Sequence, residues 1–285
     1  MADYNKLFPD RRQEGDTVLR QAQLVMLRML CVVDDICRRH DLHYWLCSGT
    51  LLGAIRHKGF IPWDDDLDIC MLREDYEKFL EIALQELPKE MLVQTRELDP
   101  LYDYLPLPCK IRDKKSLIIS KGLEKKKYCM GLFIDIFPAD RYHLEKKQFL
   151  KEKKKKEFFF FLSKLADFEL SKDKSFSRKF ISYFSPLIRL LIKQYLKEIK
   201  KDIAKNKSLG KTCLIGHGMD TPWRRFFKYS DIFPLQETSF EGYNFFVPNN
   251  AHSYLCQLYG ENYMVLPPLK ERVAKHSAIL KPIIE

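Results

Sequence analysis

The chain has 285 residues, a net charge of +10, 46% hydrophobic and 31% charged residues, which is the balance of a soluble globular protein with a substantial core. No apolar run reaches the roughly 18 residues of a membrane span, the opening Met-Ala-Asp-Tyr-Asn-Lys lacks the pattern of an export signal, and the eight scattered cysteines form no CxxC pair. A reducing compartment with free thiols is expected, and a zinc ribbon is not. The charge is uneven: residues 141–211 hold 21 Lys+Arg against 8 Asp+Glu, and the remainder holds 28 against 31.

In chain order, Val18, Ala22, Val25, Met29, Val32, Val33 and Ile36 recur at helical spacing, which predicts an amphipathic helix over about 13–40. Tyr44–Cys47 reads as a buried strand, ending at Ser48-Gly49-Thr50, where a helix can start and run to Arg56. A glycine at such a junction lets backbone approach a phosphate, and a helix start offers free N–H groups to an anion. A plain helix cap accounts for the same residues.

Four aspartates then crowd into 64–68. Read as a strand, Asp64, Asp66 and Asp68 share one face and Asp65 the other, with Leu67 and Ile69 buried. Carboxylates at i and i+2 lie about 7 Å apart at Cα, close enough to clasp one hard divalent cation through oxygen. Arg73–Leu87 reads as a helix stopped by Pro88. Strands are expected at Met91–Thr95 and Lys110–Ile119, separated by a loop over Asp99–Pro108. Another is expected at Gly131–Pro138, where Asp135 interrupts an apolar run and needs a partner or a metal if buried. Residues 144–207 read as mostly helical and basic, followed by turns at Glu241-Gly242 and Pro248–Asn250 and a short helix over Ala251–Tyr259.

The combination of strand, Gly-containing turn, helix, Asp-x-Asp strand and third acid resembles the nucleotidyltransferase fold of the DNA polymerase beta superfamily. The longer string Tyr44 to Ile69, YWLCSGTLLGAIRHKGFIPWDDDLDI, resembles the signature of the LicD family. Arg73–Phe79, Lys110–Asp113, Gly131–Pro138, Phe240-Glu241-Gly242, Tyr259-Gly260, Pro267-Pro268, Arg272 and His276 extend the likeness in family order. The resemblance implies an α/β fold with a mixed sheet and an added basic helical region. It implies one catalytic domain over 1–285, with its core at about 13–140 and 212–285 and a basic insertion at about 141–211.

It further implies a phosphotransferase that moves phosphocholine from CDP-choline to a hydroxyl of a cell-surface glycan, or of a lipid-linked teichoic acid or lipopolysaccharide precursor. Ribitol or glycerol phosphate, a nucleotidyl group, or a non-catalytic adaptor role are the alternatives. In this reading Asp66, Asp68 and Asp135 hold Mg²⁺ or Mn²⁺, Asp135 also being a candidate proton acceptor, and Asp64 orients a metal-bound water. Ser48, Gly49 and Thr50 cradle phosphate, and Arg56, Lys110 and Arg112 clamp it. His276 is a candidate ligand or proton carrier. A quaternary ammonium needs aromatic faces, for which Trp45, Trp63, Tyr104, Tyr128 and Trp223 are available. The basic segment, with its stripe from Phe180 to Tyr195, suits either packing on the domain or an anionic membrane surface. No nucleic-acid motif accompanies its lysines. The expected location is cytoplasmic, peripheral on the inner face of the plasma membrane.

Overall fold

The computed structural model describes residues 3–99, 101–102, 109–119, 128–170, 184–274, 277 and 279–284. The chain divides into two compact units: residues 1–102, 108–138 and 230–285 form the first, and residues 103–107 and 139–229 the second.

In the first unit, α1 spans Tyr4–Leu7 and α2 spans Val18–Arg39. The Thr17 hydroxyl accepts the Arg20 N–H and caps α2, and Ala22, Val25, Met26, Met29, Leu30 and Val33 bury its apolar stripe. Strand β1 (Tyr44–Leu46) is buried throughout, α3 spans Ser48–His57, and Lys58 ends α3 in the left-handed region. Strand β2 covers Asp68–Leu72, so the acids at 64–66 precede the strand and do not lie within it as expected. The reason is local: a turn closes from the Asp64 N–H to the Ile61 carbonyl, and Gln23 donates to the Ile61 and Asp64 carbonyls, the positions a sheet neighbour would otherwise use.

Helix α4 spans Arg73–Glu86, and β3 covers Met91–Gln94. The single strand expected over Lys110–Ile119 is two, β4 (Cys109–Asp113) and β5 (Leu117–Ile119). The break falls where Asp113 is buried against Arg12 and accepts the Lys115 N–H, which turns the chain. Strand β6 runs Phe133–His143, longer than the expected Gly131–Pro138. The strand order is β1-β2-β6-β4-β3, with β1–β2, β3–β4 and β4–β6 antiparallel. This order sets the starts of β2 and β6 side by side, and with them Asp68 and Asp135.

The second unit takes the far half of β6 and adds α5 (Lys146–Leu170), α6 (Ser185–Asn206), β7 (Cys213–His217) and β8 (Phe226–Lys228). Pro186 sits at the start of α6, where its missing N–H costs nothing. Tyr142, Phe159, Ile199, Ile203 and Met219 form this unit's core. Residues 212–229, expected with the catalytic core, belong here because β7 pairs with β6 from Ala139 to His143.

The chain then returns to the first unit through α7 (Tyr229–Ile232) and a hairpin of β9 (Gln236–Phe240) and β10 (Tyr243–Val247). Glu241 and Gly242 both have positive φ, as a tight right-twisted hairpin requires. Helix α8 spans Ala251–Tyr259, capped by the Asn250 side chain and ended by Gly260 at φ +85°. Strand β11 (Ile279–Lys281) pairs with β5. The structure therefore has the expected α/β class. No helix among the described residues is long and apolar enough to cross a membrane.

Candidate functional site

A cavity of about 430 Å³ opens in the first unit, and Ser48, Gly49, Asp64, Asp66 and Asp68 lie on its wall. Their convergence has a backbone cause. The Cys47 N–H donates to the Asp68 carbonyl (3.2 Å), and the Asp68 N–H donates to the Thr50 hydroxyl (2.8 Å). The start of α3 is thereby fastened to the start of β2. The Asp135 N–H donates to the Leu67 carbonyl (2.8 Å), which fastens β6 to the same point.

Although 64–67 is not a strand, side chains still alternate. Asp64, Asp66 and Asp68 face the cavity, while Asp65 is 1% exposed and accepts the Ser277 N–H at 2.7 Å. Gly49 matters by close approach: a Cβ there would sit 2.8 Å from Asp64 Oδ2, so its bare backbone makes room for a carboxylate. A phosphate could use the same room only beside that carboxylate. Thr50 is buried, and its hydroxyl serves Asp68 instead of facing a ligand.

The electrostatics are those of crowded like charges. Burial first, then the charge of Asp66 and that of Asp135, push the Asp68 carboxyl well above the ordinary carboxylate range. Tyr259, also on the cavity wall, is held protonated by burial around its oxygen and by the charges of Asp68, Asp64 and Asp66, although the residue as a whole is 47% exposed.

Three expected substrate or metal contacts have partners within the sheet. Asp135 stands opposite Lys110 in the β4–β6 register, and Lys110 Nζ meets Asp135 Oδ1 at 2.5 Å while lying over the Phe133 ring. Burial lowers the Lys110 pKa. Arg112 is buried, 4% exposed, and donates to Gln94 Oε1 and the Gly131 carbonyl between the Tyr128 and Phe133 rings. Its Nε and Nη1 donors are thereby committed inside the sheet and not to the cavity. Among the described residues no three of the cavity acids and Asp135 bring oxygens within 4.8 Å of one another. The acids fit a hard cation best as the pair Asp66 and Asp68: the donors are carboxylate oxygens, and the Asp68 carboxyl is raised by burial and then by the Asp66 charge, both of which a divalent cation would offset.

Arg56 is on the cavity wall, where its guanidinium donates to the Tyr263 (2.9 Å) and Val265 (3.3 Å) carbonyls. Trp63 is there too, edge-on to His57, with the Arg272 guanidinium 5.4 Å from its ring centre. Of the other aromatic candidates, Trp45 is core against Phe233, Tyr128 packs on Tyr102, and Trp223 stacks on His217 in the second unit. Tyr104 and His276 lie outside the described residues. The sequence reading missed Tyr259 and Tyr263 as cavity residues, and Arg272 as the cation on Trp63. The family-like tail Tyr259–Arg272 was the available signal.

The acidic loop also has a distant anchor. The Glu241 carboxylate in the β9–β10 turn receives two donors from Arg20 (2.6 and 3.0 Å) and the Phe60 N–H (3.0 Å), and the Glu241 N–H returns to the Lys58 carbonyl.

Residues 41–182, which hold the cavity acids and Asp135, match the family described as LicD/FKTN/FKRP, nucleotidyltransferase domain. The chain is 32% identical over 276 residues to the lipopolysaccharide cholinephosphotransferase LicD of Haemophilus influenzae, covering 90% of this chain and 96% of that protein. This chain belongs to the LicD family. An uncharacterized protein of Rickettsia prowazekii is 33% identical over 128 residues, 42% of this chain and 46% of that protein. The ribitol 5-phosphate transferase FKRP of human is 53% identical over 34 residues, 12% of this chain and 7% of that protein. As a LicD-family member this chain is a phosphotransferase by homology, and the name of the Haemophilus influenzae relative gives lipopolysaccharide as what that protein acts on.

Proposed function

We propose that this chain is a Mg²⁺- or Mn²⁺-dependent phosphocholine transferase that uses CDP-choline. Its acceptor is a hydroxyl of a cell-surface glycan or of a lipid-linked lipopolysaccharide or teichoic acid precursor. The observation that carries the reading is the cavity itself, whose wall brings Asp66 and Asp68 together with the start of α3 and the Trp63 indole. The fold reading is nucleotidyltransferase-like, supported by acids on the adjoining strands β2 and β6.

In this proposal Asp66 and Asp68 hold the metal, which when bound neutralises charge on the diphosphate and the departing CMP. The N–H groups at the start of α3 and the Arg56 guanidinium orient the phosphates. Trp63, whose face already attracts Arg272, offers a surface to the trimethylammonium group. The acceptor oxygen forms a bond to phosphorus as the bond to the CMP oxygen breaks. The acceptor proton passes to Asp135, which Lys110 holds in place. In the second unit, Phe158, Phe161, Leu187 and Leu190 are exposed beside lysines and arginines, which supports an acceptor presented at an anionic cytoplasmic membrane face.

The second reading replaces choline by ribitol phosphate, favoured by the short, dense match to FKRP. Mg²⁺-dependent protection against thermal unfolding by CDP-choline, CDP-ribitol, CDP-glycerol and CDP-ethanolamine tests both, together with CMP release. CDP-choline should protect most, and Trp63→Ala should raise its KM about tenfold while leaving that of a polyol donor unchanged. Protection by no CDP-linked donor overturns the proposal. Protection by CDP-ribitol alone replaces it with the second reading.

A further inference from the structure

Outside the cavity, one group of side chains has the make-up of a different ligand site. His252 and Cys256 lie four residues apart on α8, so one helical turn sets them one above the other. Gly260 ends the helix at a positive φ and returns Glu261 toward the same face. The ligand atoms of His252, Cys256 and Glu261 all lie within 4.8 Å of one another. The Cys256 sulfur is 3.5 Å from His252 Nε2 and 3.4 Å from Glu261 Oε2.

These separations have a specific chemical meaning. A tetrahedral zinc ion with Zn–S near 2.3 Å and Zn–N or Zn–O near 2.0–2.1 Å places sulfur about 3.5 Å from each of its nitrogen and oxygen neighbours. A hydrolytic relay would instead set histidine between thiol and carboxylate, whereas here the thiol touches both. The donor set of one sulfur, one imidazole nitrogen and one carboxylate oxygen suits a borderline ion and disfavours magnesium. A second contact completes the pattern: His252 Nδ1 lies 3.1 Å from the Tyr263 hydroxyl, the kind of outer partner that orients a ligating imidazole through its other nitrogen.

We infer that His252, Cys256 and Glu261 form a zinc site, separate from the acidic pair, that ties the turn after α8 back onto the helix. The fourth position is open to water. Binding deprotonates the thiol, and its proton goes to solvent. The tied turn leads directly into Asn262, Tyr263 and Val265, all on the cavity wall, and the Tyr263 and Val265 carbonyls receive Arg56. The ion therefore sets a wall of the cavity without touching the acids.

The test uses the full chain, kept reduced, stripped with a chelator and titrated with Co²⁺ and then Zn²⁺. One equivalent of Co²⁺ should give a thiolate-to-cobalt charge-transfer band that Zn²⁺ abolishes, and Zn²⁺ should raise the Tm. Cys256→Ser should lose the band, and His252→Gln should weaken Co²⁺ binding at least tenfold. Cys129→Ser and Asp68→Asn should both retain the band, so the result stands apart from the fate of the transferase proposal. Absence of the band, its survival in Cys256→Ser, or weak uptake indifferent to both ligand variants (an adventitious ion only) overturns the inference. Cys256 is outside the core, and far-UV circular dichroism checks that each variant is folded.

Discussion

One cluster of buried charge in each unit shows two opposite arrangements. In the first, three carboxylates face one cavity, and the Asp68 pKa is raised by burial first and then by the charge of Asp66. In the second, the buried cation Lys156 is met by the His217 and Gly218 carbonyls and lies over the Tyr142 ring, while Glu152 is met by His143 and Asn206. The second arrangement sets opposite or dipolar partners around each charge. The first sets like charges side by side, an arrangement that a cation would favour. A buried charge met by carbonyls marks structure, whereas like charges crowded on a cavity wall mark a candidate binding place.

This contrast breaks most readily at the acids. Asp66→Asn and Asp68→Asn should each lower transfer about a thousandfold. Without divalent cation, Asp68→Asn should also raise the Tm, because it removes a carboxylate that the fold holds at a cost. Near-normal turnover, or a lowered Tm in metal-free buffer, would remove the distinction between the units. Lys156→Met tests the other side. It leaves two carbonyls without their charged donor and should cost about 2–3 kcal/mol in urea unfolding, with turnover per folded molecule unchanged at low temperature.

The smallest effect is in pH. Burial, then the Lys156 charge, depress the His217 pKa to about 3. The unfolded value is near 6.5, so between pH 6.5 and 3 the unfolded chain binds the extra proton. Stability is then full above pH 6.5 and falls as pH drops, by about 1.4 kcal/mol per unit, or about 2 kcal/mol by pH 5. His217→Asn should flatten the dependence of the urea midpoint between pH 7 and 5, and an unchanged slope would place the sensitivity elsewhere.

Much of the first unit was readable because its signals are local. The period of α2, the Pro88 stop after α4 and the Asn250–Gly260 boundaries of α8 all lie within a few residues of what they define. Strands β7 to β10 passed unnoticed, since β9 and β10 are largely exposed and carry weak alternation. The facing of Asp64, Asp66 and Asp68 was right although the strand was not, because an extended loop alternates sides as a strand does. The fates of Arg112 and Lys110 could not be read from the chain. They depend on Gln94, Gly131 and Asp135, brought close only by strand register. Thr50 likewise looked available until the fold placed Asp68 against it.

One contact orders events in time as well as space. Glu241 secures the stretch just before the aspartates, yet it is made some 180 residues after Phe60. On a ribosome, the N-terminal helices and early strands can form while the acidic loop still lacks this tether. The loop can reach its final geometry only once the β9–β10 hairpin has emerged, so a nascent or truncated chain ending before Glu241 would carry all four aspartates without the restraint that aims them.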